Sequence, residues 1–415
     1  MKEGKSFIIS QHQVAEAYKR VKANKGAAGI DDVSFEEMEK DLKNQLYKVW
    51  NRLSSGSYFP MPVKGCEIPK KNGKMRLLGI PTIIDRVAQT VLLMNFEPLL
   101  EPIFHEDSYG YRPGKSTIDA VRVTRTRCWE MPWVLEFDVV GLFDNIDHEL
   151  LMQVVRKHTD DKFIIMYIER IIRADMAMPD GTTRKRTAGV PQGGCISGLL
   201  SNLFMHYAFD RWMVVKNPNN PWARYADDAV IHCQTKEEAE EILRTLKRRL
   251  KDCKLEVHPE KTKIVYCRSD RNNKRHENES FTFLGYTFRI RRVIDKKGRL
   301  FNGFTPAVSR DAAKQFREKM RECRSWNKHV SPEELAKIMN PIIRGWANHF
   351  MHFNPSEAKR TALSHVNLLI VKWAMRKYKH LEGHKCRAFK WLYKMFKANP
   401  KLFHHWQLGM CPTMV

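Results

Sequence analysis

A chain of 415 residues is long enough for two or three domains, and 43% apolar with 10% aromatic residues excludes a disordered tail. Its 72 Lys and Arg against 47 Asp and Glu leave a formal charge of +25, which predicts a polyanionic partner, nucleic acid being the commonest large one. No run reaches the roughly 18 uninterrupted apolar residues of a membrane span, and the N-terminal MKEGKSFIISQHQ lacks a secretory h-region. The expectation is a cytoplasmic or nucleoid-associated protein without a membrane partner. Nine cysteines, an odd number with no C-x-x-C pair, argue against a disulfide framework and against a cysteine-based zinc site. Most of the 16 histidines, His404 and His405 among them, lack H-x-x-x-H spacing and read as surface or packing residues.

In chain order, HQVAEAYKRVKANKG and VAQTVLLMNFEPLL have helical periodicity, and KGCEIPKKNGKMRLLGIP reads as an extended pair turning at Asn72-Gly73. WVLEFDVVGLF is a short apolar run that predicts a buried strand delivering Asp138 at its end. Helices are expected through about residue 175, then a hairpin around Asp180-Gly181, then a Gly-rich turn feeding the amphipathic helix of GVPQGGCISGLLSNLFMHYAFDRWM. In ARYADDAVIHC, Tyr225, Val230 and Ile231 favour a strand while two adjacent aspartates disfavour it. Neighbouring side chains of a strand point to opposite faces, so Asp227 and Asp228 share one site only if the chain turns between two strands. A charged helix, KEEAEEILRTLKRRLKDCKL, follows, then strand-like LEVHPEKTKIVYC and FTFLGYTFRIRR. Residues 289–300 read as a junction, being charged and carrying Lys297-Gly298. Beyond it, residues 301–415 hold 21 Lys and Arg against 7 Asp and Glu, interleaved with Trp, Tyr and Phe at helical spacing. That pattern suits phosphate contacts combined with base stacking.

Three carboxylates brought together at strand ends raise one another's pKa unless a cation sits among them. Hard oxygen ligands suit Mg²⁺, and two such ions about 4 Å apart activate an attacking hydroxyl and stabilise a leaving pyrophosphate. Asp138, Asp227 and Asp228 therefore point to nucleotidyl transfer.

Motifs along nearly the whole chain resemble those of group II intron-encoded reverse transcriptases. VKANKGAAGIDDVS is similar to their N-terminal extension, IPKKNGKMRLLGIPTIIDRVAQ to the fingers motifs, and SYGYRPGKSTIDAV to the block after them. FDVVGLFDNIDH resembles motif A, GVPQGGCISGLLSNL motif B, RYADDAVIH motif C, HPEKTKIVY motif D and FTFLGYTF the closing palm strand. NPIIRGWANHF resembles the core of the maturase, or thumb, domain. The resemblance implies an α+β fold of right-hand polymerase type, with fingers and an antiparallel palm sheet followed by a helical thumb. The expected division is 1–130 for N-terminal extension and fingers, 131–290 for palm, 291–385 for thumb and 386–415 for a short basic DNA-binding-like tail. Without paired cysteines and histidines near its end, the chain is expected to lack an endonuclease domain.

Carried over by position, Asp138 and Asp227 match direct metal ligands, and Asp228 a supporting one. Lys70 and Arg76 match cations that grip a triphosphate. Phe143 matches the bulky residue that blocks a ribose 2′-OH, and Gln192 with Gly193 the turn beside the nascent base pair. Lys261, with Lys263 as alternative, matches the general acid for pyrophosphate. Arg112 matches a template contact, with an ordinary salt bridge as the other reading. Val140, Leu142 and Gly198 depart from the usual Lys, Phe and Pro of motifs A and B, and none of these positions is a metal ligand.

The implied function is RNA-directed DNA synthesis with two Mg²⁺ ions, deoxynucleoside triphosphates, an RNA template and a DNA primer and target. A maturase role on the intron RNA accompanies it. Two alternatives stand beside it: an RNA-binding splicing factor with a vestigial polymerase site, and a domesticated reverse transcriptase of phage defence or repair. Intact carboxylates favour polymerase chemistry over the first, and RGWANHF with the basic C-terminal region favours the intron over the second.

Overall fold

A computed structural model describes residues 6–69, 75–294, 297–323 and 329–413. Two compact units emerge, one made of Met1–Ala120 with Leu135–Lys263 and one of Val121–Val134 with Ile264–Val415. The strands are β1 (Val63–Pro69), β2 (Met75–Ile80), β3 (Trp133–Asp138), β4 (Met176–Ala177), β5 (Thr183–Arg184), β6 (Trp222–Tyr225), β7 (Asp228–Cys233), β8 (Lys263–Tyr266), β9 (Ser280–Phe283), β10 (Tyr286–Ile294) and β11 (Leu300–Val308). They form sheets of order β2-β1-β4-β5, β6-β7-β3-β8 and β11-β10-β9. The architecture is α+β with predominantly antiparallel pairing, as expected, and among the described residues no helix is long and apolar enough to cross a membrane.

In the first unit, the helix Ile83–Leu100 is buried on most sides, its apolar Ile83, Val87, Ala88, Val91, Leu92 and Phe96 joined by the buried polar residues Asp85, Arg86, Gln89 and Thr90. Thr82 caps it, its hydroxyl accepting from the Asp85 amide at 3.0 Å. β1 and β2 pair antiparallel from Lys64↔Ile80 to Pro69↔Met75, as the hairpin reading requires. Its Asn72-Gly73 turn, together with Lys70, lies outside the described residues. The Asp180-Gly181 hairpin is present as the pair β4–β5, with Gly181 at φ 85°. Helices Leu142–Asn145, His148–His158 and Lys162–Arg173 occupy the stretch expected to be helical.

Two features of the second unit correct the sequence reading. FTFLGYTF is not one closing strand but the hairpin β9–β10, because Leu284 and Gly285 both take positive φ, 52° and 82°, between the paired Phe283 and Tyr286. Two central residues with positive φ match the twist of the flanking strands. The charged stretch 289–300, expected as a junction, is partly strand: Arg289–Ile294 and Leu300 pair in the β10–β11 ladder, whose backbone groups are satisfied across the hairpin.

After β11 the chain becomes helical. Helix Pro332–Phe350 starts on a reciprocal capping box between Ser331 and Glu334, with Pro332 at its first position. Helices Arg310–Glu322, Ser364–Lys377 and Lys385–Ala398 join it around a core containing Phe316, Leu335, Ile343, Ile370, Trp373 and Leu392. Residues 386–415, expected to be a tail, contribute Phe403 and Trp406 to this same core, since aromatic residues at that density are stable only when covered.

Candidate functional site

The hairpin β6–β7 explains the paired aspartates. Tyr225 and Asp228 face each other across a two-residue turn in which Ala226 has φ 59°, a region that L-residues rarely adopt. Arg224 holds that turn from below. Fully buried, it donates from Nε and Nη2 to the two Asp210 carboxylate oxygens at 2.7 Å each, and from Nη1 to the Ala226 carbonyl and Asn202 Oδ1 at 3.1 Å. Asp210 reaches it from the end of a π-helical turn, His206–Asp210, between helices Ser197–Met205 and Arg211–Lys216. Such turns redirect side chains within an otherwise regular helix.

The turn delivers Asp227 to a cavity of about 820 Å³ whose lining includes Arg76, Tyr111, Asp138, Phe143, Gln192, Gly193, Asp227 and Lys261. The Val139 amide donates to the Asp227 carbonyl at 3.1 Å, so backbone pairing places the end of β3 beside the turn. Burial, then the Asp138 charge, raises the Asp227 pKa, with Lys261 and Arg76 opposing. Lys261 Nζ lies 2.7 Å from Asp138 Oδ2. Lys263 sits instead at Glu136, Nζ to Oε2 3.4 Å. Of the two lysines that spacing alone left equivalent, only Lys261 lines the cavity.

Asp228 differs from its neighbour. It does not line the cavity, and burial followed by the charges of Glu136, Asp138 and Asp227 pushes its carboxyl well above the usual range. Among the described residues, no group of three or more His, Cys, Asp or Glu side chains is placed to hold a metal ion. Asp138 and Asp227, the two expected as direct ligands, line the cavity, and Asp228, expected in a supporting place, does not. The lining pair fits a hard divalent cation: two carboxylates in one cavity, one already drawn toward protonation by burial and then by the other's charge.

The loop around Gln192 closes another wall. The Gly79 amide donates to the Gln192 carbonyl at 3.1 Å, and a Cβ on Gly193, at φ 129°, would stand 2.6 Å from the Gly79 carbonyl oxygen. Only glycine permits that approach of loop to β2. The departure at Gly198 also has a cause, because a Cβ there would lie 2.7 Å from Tyr111 Cγ. Tyr111, which the sequence reading passed over, packs edge-on against Phe143 at 5.9 Å between ring centroids.

Arg112 takes the ordinary reading. Its guanidinium donates to Glu101 (Nε 3.0 Å and Nη2 2.7 Å, both to Oε1) and to the carbonyls of His105 and Ser108 at 2.6 and 2.7 Å. With its side chain only 6% exposed, it locks its own loop and presents no fork to a template phosphate. Arg224 and Tyr111 are the residues that sequence reasoning missed; an arginine inside the apolar strand WARY was the available signal, since a buried guanidinium requires a carboxylate.

Residues 68–288 match the family profile described as reverse transcriptase (RNA-dependent DNA polymerase), and residues 313–392 match the group II intron, maturase-specific domain. The chain is 34% identical over 332 residues to protein YkfC of Escherichia coli (strain K12), covering 71% of this chain and 83% of that protein. It is 34% identical over 194 residues to the group II intron-encoded protein LtrA of Lactococcus lactis subsp. cremoris, covering 46% of this chain and 32% of that one. Nuclear intron maturase 1, mitochondrial, of Arabidopsis thaliana is 31% identical over 93 residues, 22% of this chain and 13% of its own length.

Proposed function

The chain belongs to the group II intron-encoded reverse transcriptases, RNA-directed DNA polymerases joined to a maturase-specific domain, and we propose that its 820 Å³ cavity is where deoxynucleotides are added. The observation that carries this reading is the convergence of Asp138 and Asp227 on one cavity, with the Lys261 ammonium as their counterion. These two carboxylates would hold divalent magnesium, which when bound as two ions activates a primer 3′-hydroxyl and neutralises a leaving pyrophosphate.

The chain's own groups do the rest. Arg76, and Lys70 by its place in the motif, hold the triphosphate of the incoming deoxynucleotide. Phe143, backed by Tyr111, forms the wall against which a ribose 2′-hydroxyl would clash. Gln192 and Gly193 let the nascent base pair approach the backbone. Lys261 gives a proton to the pyrophosphate oxygen as the bond to it breaks.

We read the first unit as fingers and palm and the helical part of the second as thumb. The maturase-specific match and the 21 Lys and Arg against 7 Asp and Glu of residues 301–415 support intron RNA as the second partner. A ribonucleoprotein in the bacterial cytoplasm or at the nucleoid fits the +25 charge.

The test is primer extension on an RNA template with deoxynucleotides and Mg²⁺, comparing the wild-type chain with Asp138→Ala and Asp227→Ala. Magnesium-dependent cDNA from the wild type alone supports the reading. A folded wild type that binds RNA and makes no cDNA overturns it in favour of a splicing factor.

A further inference from the structure

A second cavity, of about 460 Å³, shares Arg76, Phe143, Asp144 and Gln192 with the first. Neither Asp138, Asp227 nor Lys261 lines it, whereas Arg184, Lys185 and Arg186 do. Four cations thus face one carboxylate, Asp144.

Arg186 is the unusual member. Both its Nη atoms are buried and neither has a hydrogen-bond partner among the described residues. Burial pushes its pKa down to about 10, with the Asp144 charge opposing from a distance, so the group stays charged at neutral pH. A desolvated guanidinium without hydrogen bonds is costly. Two to four residues further on the chain is held: the Gly189 amide donates to the Ile146 carbonyl and the Val190 amide to the Phe143 carbonyl, both at 2.7 Å, while Ala188 bridges to Asp147. The chain just beyond the orphan fork is thereby tied to the segment that carries Phe143.

An oxyanion is the ligand that would satisfy such a fork, because a phosphate accepts parallel N–H bonds and brings the missing charge. We propose that Arg186, with Arg184 beside it, forms a phosphate subsite that holds a backbone phosphodiester of the template strand next to the nucleotide cavity. This deepens the polymerase reading and rests on it. The other source of the same chemistry is the triphosphate of the incoming nucleotide. The template is favoured because the cavity excludes both carboxylates that a nucleotide's phosphates must face during transfer.

The experiment compares the full-length wild type with Arg186→Met and Arg186→Lys. It reads thermal midpoint without nucleic acid, Kd for an RNA template annealed to a DNA primer over a salt series, and KM for deoxynucleotide. Arg186→Met should leave the midpoint unchanged or higher, because no hydrogen bond of the free protein is lost. It should weaken primer–template binding about tenfold and reduce the log–log salt slope by about one. Arg186→Lys should recover part of the affinity. Should Arg186→Met fail to fold, Arg184→Gln at an exposed position is expected to weaken binding in the same direction, roughly two- to threefold, and an unchanged Kd there counts against the subsite. A lower midpoint with unchanged Kd would make Arg186 a structural partner of Asp144 and overturn the proposal. A raised deoxynucleotide KM with unchanged primer–template Kd would overturn it in favour of the triphosphate. If the wild type binds primer–template without extending it, the polymerase reading fails, and the binding comparison still decides the subsite.

Discussion

Lys261 Nζ lies 2.7 Å from Asp138 Oδ2, so an ammonium occupies the carboxylate that the proposed reaction assigns to a divalent cation. Two consequences follow for Lys261→Met. Loss of the proton donor should slow extension by roughly a hundredfold. Loss of the competing ammonium should lower the magnesium concentration needed for half-maximal rate. Rates measured across a magnesium titration check both, with Lys263→Met as the control because its partner is Glu136. Equal loss in the two variants, or a higher magnesium requirement in Lys261→Met, would remove Lys261 from the assigned role.

Asp227 should trade stability for activity. Burial and Asp138 raise its pKa above the unfolded value, so the folded protein binds this proton more tightly than the unfolded chain does. The associated stability is present below the unfolded pKa and is lost as pH rises through the raised folded one. At neutral pH and without metal, Asp227→Asn should therefore melt higher than the wild type while extension falls by about a thousandfold. Thermal midpoints in chelator, set beside primer-extension rates, give the answer; a variant that melts lower would mean that the carboxylate is satisfied in the fold.

Phe143 should set sugar selectivity. Phe143→Ala opens the wall that Tyr111 supports, and incorporation of ribonucleotides relative to deoxynucleotides should rise roughly ten- to a hundredfold. Gly198→Ala should move the same ratio without touching substrate, since its Cβ would meet Tyr111 Cγ at 2.7 Å and displace the ring. The ratio of kcat/KM values for the two sugars is the measurement, and no change in Phe143→Ala would return Phe143 to a packing role.

The carboxylates were legible because charge inside an apolar strand is expensive, so FDVVGLF and ARYADDAVIHC announce themselves. The alternation of side chains along a strand also separated Asp227 from Asp228. They are adjacent in sequence, and beside the turn at Ala226 the first lines the cavity while the second does not. Arg112 misled because an arginine in YRPG reads the same whether its partner is a phosphate or Glu101, eleven positions earlier. FTFLGYTF misled because a turn with positive φ at a leucine runs against the residue's own preference, and only strand pairing on both sides imposes it.

Arg224 and Asp210 form a buried pair that shapes the turn carrying Asp227. Arg224→Leu leaves the Asp210 carboxylate buried and unpaired and should cost roughly 3 to 5 kcal/mol. Adding Asp210→Leu should restore much of that stability, because two apolar side chains can replace a buried pair at little net cost. Extension should not return with it, as the Ala226 carbonyl has lost its donor and the strained turn its support. Chemical denaturation and extension assays on both variants separate the two effects; a double variant with wild-type activity would show that the turn holds without the arginine.

His405 should make the second unit acid-labile. It is fully buried, its Nε2 donating to Asn367 Oδ1 at 2.7 Å, an oxygen that also accepts from Trp406 Nε1 at 2.9 Å. Burial, with His404 adding to it, pushes its pKa from 6.5 down to about 3. The folded protein keeps this ring neutral while the unfolded chain protonates it. The stability it contributes is therefore whole above pH 6.5 and is lost progressively as pH falls toward 3. Within that window the slope from one group approaches about 1.4 kcal/mol per pH unit. His206, pushed down to about 4 by burial in the first unit, adds a slope of the same sign. His405→Gln keeps a donor for Asn367 without a titrating ring. It should be less stable than the wild type at pH 7 through lost packing, and should lose less stability between pH 6.5 and 4. Urea denaturation of both chains at half-unit pH steps measures the difference, and parallel acid limbs would mean that His405 takes its proton without unfolding the core around it.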